Sequence, residues 1–183
     1  MRTSFQLCQT KTAVMAFTKN FAQVKKSIVR NTILRQLRLE LERQTHAAET
    51  ARDEAISEES RAENKWDTHS QEAAYLAEGQ AKLAADIGQS IEAYTTIPLP
   101  EFSTEDSIAI GAVVELEVTD GSSAWYFIGP RAGGLEVAID GHNILVLTPQ
   151  SPLGRQLIGK RAGDVIQTAG RGTPTPQRIL SIQ

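Results

Sequence analysis

From Phe21 to Glu78 the chain holds neither glycine nor proline, the two residues that most readily interrupt a helix. Within that stretch Leu34, Leu37, Leu41, Gln44, Ala48, Ala51 and Ala55 recur at steps of three and four, the spacing of a helix that packs along one seam. A second seam follows through Ala73, Leu76, Gln80, Leu83, Ile87, Ser90 and Tyr94. The first narrows from leucine to alanine and the second widens from alanine to tyrosine. Folding back on itself therefore sets large residues against large and small against small, which predicts an antiparallel helical hairpin over 19–97. At 1.5 Å per residue the first helix reaches about 60 Å.

Charge is graded along this rod. Near its base Lys19, Lys25, Lys26, Arg30, Arg35, Arg38 and Arg43 outweigh Glu40 and Glu42, whereas Glu49, Asp53, Glu54, Glu58, Glu59, Glu63 and Asp67 crowd toward the turn near 58–69. On a continuous helix Glu59, Glu63 and Asp67 would share one face, each like-charged pair costing a few tenths of a kcal/mol. Two readings of these acids stand open. They are carboxylates poised for a divalent cation, for which magnesium suits hard oxygen ligands, or they are the solvated acids of an ordinary turn. Trp66 is likewise either a cover for the alanine-rich seam or an interface residue on an exposed tip.

The remaining constraints are exclusions. A net charge of -3 argues against coating nucleic acid by bulk charge. Cys8 is the sole cysteine, so no intramolecular disulfide forms and no zinc ribbon is spelled out. His46, His69 and His142 form no ligand cluster, and no apolar run approaches the roughly 20 residues of a membrane span. In residues 1–18 Gln6, Gln9, Thr10 and Lys11 interrupt any signal-like stretch. We expect this segment to be disordered or non-native, with translation beginning at Met1 or Met15, in a reducing, cytoplasmic setting.

After the Pro98 and Pro100 boundary, a linker over 98–107, the period changes from 3.6 to 2. Ile108 to Val118, Trp125 to Ile128, Leu135 to Ile139, Ile144 to Leu147, Asp164 to Thr168 and Gln177 to Ile182 read as strands, with turns at Asp120-Gly121 and Asp140-Gly141. Ser151-Pro152 opens a short helix, serine as cap and proline in the first turn. The fold class is α+β: an antiparallel coiled-coil hairpin followed by a small antiparallel sheet domain with one short helix over 108–183. No nucleophilic triad, phosphate loop or dinucleotide fingerprint appears.

The run SPLGRQLIGKRAGDVI, residues 151–166, resembles the carboxyl-terminal signature of the GreA/GreB family of bacterial transcription elongation factors, as do IAIGAVVEL at 108–116, YFIGP at 126–130 and the closing RILSI. The resemblance implies an FKBP-like fold without implied isomerase activity, and docking on RNA polymerase core beside its secondary channel. Docking would involve Ser151, Pro152, Leu153 and Gly154, with Trp66 and Asp67 at the tip. It further implies a hairpin that brings tip acids to the polymerase's catalytic magnesium, with no metal or cofactor of its own. AEN at 62–64 matches the end of the family's tip, which makes Glu63 the leading acid; the other family acid falls on Ser60, with Glu59 beside it. Lys25, Lys26, Arg30, Arg35 and Arg38 would lie near nascent RNA in the elongation complex. Neither a membrane nor a small-molecule substrate is implied, and the chain is expected not to be an enzyme but to act through the polymerase's own chemistry. The outcome is cleavage of backtracked RNA or, because of Ser60, inhibition by occupying the channel. A coiled-coil adaptor unconnected with polymerase is the alternative from another class.

Overall fold

The computed structural model describes residues 25–56, 69–103, 105–117, 121–168 and 175–183. Two long helices, α1 (Lys26–Ile56) and α2 (His69–Thr96), pack along each other. Six strands follow: β1 (Val113–Glu117), β2 (Ser123–Ile128), β3 (Glu136–Ile139), β4 (His142–Leu147), β5 (Val165–Thr168) and β6 (Thr175–Ile182), with α3 (Pro152–Leu157) between β4 and β5.

On α1 the seam runs as its leucines require, with Leu34, Leu37 and Ala51 buried and Leu41, Gln44 and Ala48 half-buried. On α2 the expected line holds at Gln80, Ile87, Ser90 and Tyr94, with Ser90 buried, and slips by one residue at Leu76 and Leu83. Ala77, Gln80, Ala84, Ile87, Ile91 and Tyr94 face α1, while Leu76 and Leu83 stand 53% and 50% exposed on its flank. The cause is geometric. Small residues let two helix backbones approach closely, so the contact line follows Ala77 and Ala84, and their larger neighbours are displaced to its edge.

The sheet has the order β3-β4-β2-β1-β6-β5. It is mixed rather than wholly antiparallel: β2 and β4 run parallel, Trp125 beside Ile144 and Ile128 beside Leu147, while every other pairing is antiparallel. The Asp140-Gly141 turn joins β3 to β4 with positive φ at both residues, 50° and 81°, as a tight two-residue hairpin of matching twist demands. Strand β1 begins at Val113, later than the apolar alternation from Ile108 suggests. Ile108 pairs instead with the loop after α3, its amide donating to the Lys160 carbonyl and its carbonyl accepting from Gly159. Gly111, at φ 93°, turns the chain into β1.

Both faces of the sheet are buried. On one, Val113, Trp125, Phe127, Val137, Ile144 and Val146 form a core with Val29, Ile33, Leu34 and Leu37 of α1 and Tyr94 of α2. On the other, Val114, Leu116, Ile128, Ile166 and Ile179 close over Leu157 of α3 and Ile108. The base of the hairpin and the sheet thus share one core, which ties the direction of the rod to the sheet domain.

Candidate functional site

The segment that starts α3 owes its shape to two hydrogen bonds of Ser151, a proline and a glycine. Ser151 is extended, at φ −65° and ψ 152°; its Oγ accepts the Gly154 amide at 3.0 Å and donates to the Thr148 carbonyl at 2.8 Å. Pro152 sits where no amide is needed. Gly154 is buried, and a Cβ there would lie 2.0 Å from the Thr148 carbonyl oxygen. Leu153 leans on the second core. Of the four residues expected to dock, Ser151 and Gly154 therefore hold the loop together, and Pro152 is the one fully presented to solvent. Arg155, Ile158 and Lys160 are exposed in the same segment, and the short helix holds this presented surface to the sheet through buried Leu157.

The basic residues of α1 do not form one stripe. Lys25 is exposed ahead of the first turn, and Arg30 folds onto Asn31 Oδ1, its Nε and Nη2 at 3.3 Å and 3.2 Å. Arg35 and Arg38 are exposed on one face, about 60° apart at 3.6 residues per turn, while Arg43 is drawn to Glu40 at 3.1 Å. Lys26, also expected near nascent RNA, is held at the base of the hairpin. It is 7% exposed, and its ammonium donates to the Pro100 carbonyl, lies 3.6 Å from Glu101 and sits 5.2 Å from the centre of the Phe102 ring. Its nitrogen is engaged by the segment that follows α2, a contact that charge counting does not reveal.

Glu59, Glu63, Trp66 and Asp67, the expected tip residues, lie outside the described residues, as does Ser60. What the structure places is the hairpin that leads to them, from Ile56 and back at His69. Among the described residues no three His, Cys, Asp or Glu side chains gather to hold a metal, and no helix is long and apolar enough to cross a membrane.

Two polar features escaped the sequence. Glu115, in the middle of β1, is 2% exposed; Ser181 donates to its Oε2 at 3.1 Å, and its Oε1 has no partner. It stands opposite Trp125, whose ring lies 5.0 Å from that of His142. Tyr94 is fully buried and donates to the Arg131 carbonyl at 2.9 Å; burial pushes its phenol well above the usual tyrosine range. An acid in an otherwise apolar alternation was the available signal for the first. For the second, the α2 seam signals the packing of Tyr94 but not its hydrogen bond.

A paired-helix rod is seated on one face of a mixed sheet, and a proline-led loop is exposed beside the other face, so the long arm and the exposed loop are separate parts. Residues 103–183 match the family described as "Transcription elongation factor, GreA/GreB, C-term". This carboxyl-terminal part of the chain is thus a domain of the GreA/GreB type. Among solved structures it is similar to Gfh1 of Thermus aquaticus, at 24% identity over 82% of this chain and 90% of that one, with a TM-score of 0.37. The GreA factor homolog 1 protein of Thermus thermophilus is 21% identical over 84% and 94% of the two chains, with a TM-score of 0.34. No curated protein matches the chain.

Proposed function

We propose that this protein binds RNA polymerase core through its sheet domain, inserts the helical hairpin into the secondary channel, and modulates elongation from there. The observation that carries the reading is the union in one chain of a GreA/GreB carboxyl-terminal domain over 103–183 with a helical hairpin built on it. Pro152 and its exposed neighbours in the presented loop are the docking surface. Arg35 and Arg38 supply salt-dependent contacts to nascent RNA. Glu63, with Glu59 in support, offers carboxylate oxygen to magnesium at the polymerase active centre. That donor type suits the ion, which needs few protein ligands where phosphates and water complete its shell. Magnesium there stabilises the attacking and leaving oxygens of phosphodiester hydrolysis; the contribution of this chain is to present the carboxylates. The protein has no active site of its own and works in the cytoplasm.

Ser60 supports a second reading in which the hairpin occupies the channel and slows nucleotide addition without promoting cleavage. One experiment separates the two. Backtracked elongation complexes are incubated with magnesium and either the wild-type protein or Glu63→Ala, and RNA length is read on a gel. Shortening by wild type alone, with both proteins binding polymerase equally, supports cleavage through Glu63. Binding without shortening, together with slower addition on unpaused complexes, supports occupancy. Absence of binding to polymerase refutes both.

A further inference from the structure

We propose that the turn at 129–134 and the end of α2 form a reciprocal clamp that aims the helical hairpin on the sheet domain. The first half runs from helix to turn: the buried Tyr94 phenol donates to the Arg131 carbonyl at 2.9 Å, and its ring lies 6.3 Å from that of Phe127. The second half runs back. The Arg131 guanidinium donates to Gln89 Oε1 at 2.8 Å, five residues earlier on the same helix. The turn is shaped to admit the tyrosine. A Cβ on Gly129 would lie 2.0 Å from the Tyr94 hydroxyl oxygen and 3.0 Å from its Cζ, so only glycine leaves the notch open. Ala132 takes a left-handed conformation, φ 57°, which a residue with a side chain seldom adopts without support from its surroundings.

A second support lies on the other helix, where Lys26 reaches the Pro100 carbonyl. With α2 held by the turn and α1 held by the segment after α2, neither helix can tilt alone.

The consequence follows from leverage. From Tyr94 back to His69, α2 extends about 38 Å, so a tilt of about 5° at the base carries its far end about 3 Å. If the tip acts at the polymerase active centre, as the channel reading on which this consequence rests requires, a shift of that size is decisive, since misplacement by about 1 Å can cost a hundredfold in rate. Tyr94, Gly129, Arg131 and Gln89 are then positioning residues for a reaction they never touch.

The test is made on the free protein, so its result does not depend on whether the channel reading holds. Spin labels are placed at Asp53→Cys on α1 and Gln150→Cys on the sheet domain, in a chain carrying Cys8→Ser, and the distance distribution is measured by pulsed dipolar spectroscopy. The unperturbed clamp should give one narrow peak. Gly129→Ala should shift or broaden it by about 3 Å, and Tyr94→Phe alone, which removes the hydrogen bond to the Arg131 carbonyl, should broaden it as well. A merely structural glycine would lower the melting temperature without moving the peak. A folded Gly129→Ala or Tyr94→Phe protein with the unperturbed distribution overturns the proposal. Should Gly129→Ala not fold, Arg131→Ala alters only the exposed arm and should broaden the peak; an unchanged width there overturns it equally. A positive result together with unaltered polymerase assays would tell against the channel reading and leave the clamp standing.

Discussion

Replacing Lys26 by methionine keeps an unbranched stem at the base of the hairpin and removes only the nitrogen. Three contacts go with it: the hydrogen bond to the Pro100 carbonyl, the approach to the Phe102 ring at 5.2 Å and the 3.6 Å pairing with Glu101. The last is worth close to nothing, because Glu101 is 84% exposed and water screens the pair. A hydrogen bond from a charged donor contributes about 1.5–3 kcal/mol, and a cation over an aromatic ring about 0.5–1 kcal/mol. Against them stands the cost of burying the nitrogen, which methionine relieves. That cost is partial here, since the nitrogen keeps a hydrogen bond and its contact with Pro100 is only partly buried. The balance is a loss of about 1–2 kcal/mol. With a urea slope of about 2 kcal/mol/M, the midpoint should fall by about 0.5–1 M at unchanged slope. Lys25→Met, one residue earlier and exposed, is the control and should stay within about 0.5 kcal/mol of wild type. If Lys26→Met moves the midpoint no more than Lys25→Met, the latch reasoning is refuted. If it instead lowers the salt dependence of binding to elongation complexes by about one phosphate contact, Lys26 is an RNA ligand after all.

Tyr94→Phe should reveal itself in alkali. Below about pH 10 the phenol is protonated in both folded and unfolded chains; above it only the unfolded chain ionises, because burial holds the folded group up. Unfolding then releases a proton, and the stability advantage of wild type over Tyr94→Phe should shrink by up to about 1.4 kcal/mol per pH unit. Denaturation at pH 8 and pH 11 checks this, and a constant difference would contradict it. In the hairpin seam, Gln44 and Gln80 each keep a buried carbonyl oxygen without a partner. Changing both to leucine should raise stability by about 1–2 kcal/mol, seen as a higher urea midpoint; a lower midpoint would mean that these oxygens are satisfied in solution.

What could be read in the chain, and what could not, divides along the range of the forces involved. Asp140-Gly141 announced its hairpin because two adjacent residues must both accept positive φ, and few pairs do. Ser151-Pro152 announced α3 because the cap and the first turn are satisfied within four residues. The α1 seam was legible through its leucines; the α2 seam slipped because Leu83 is more apolar than Ala84, yet close helix approach rewards the smaller residue. Strand order obeys no local pattern: β2 and β4 meet in parallel with β3 between them in the chain. Lys26 and Tyr94 are the extreme case. The partner of each is a carbonyl far away in sequence, Pro100 at 74 residues and Arg131 at 37; the α2 seam marks Tyr94 as packed but not what its hydroxyl meets, and nothing nearby marks Lys26 as buried. The acids between Ile56 and His69 differ again, for their spacing is compatible with a solvated turn or a metal ligand set, and only the partner they meet distinguishes the two. The parts of this protein that carry reach and aim are therefore the long-range ones. A homologue with the same loop motif but a bulkier residue at the position of Gly129 should dock alike and point its hairpin elsewhere.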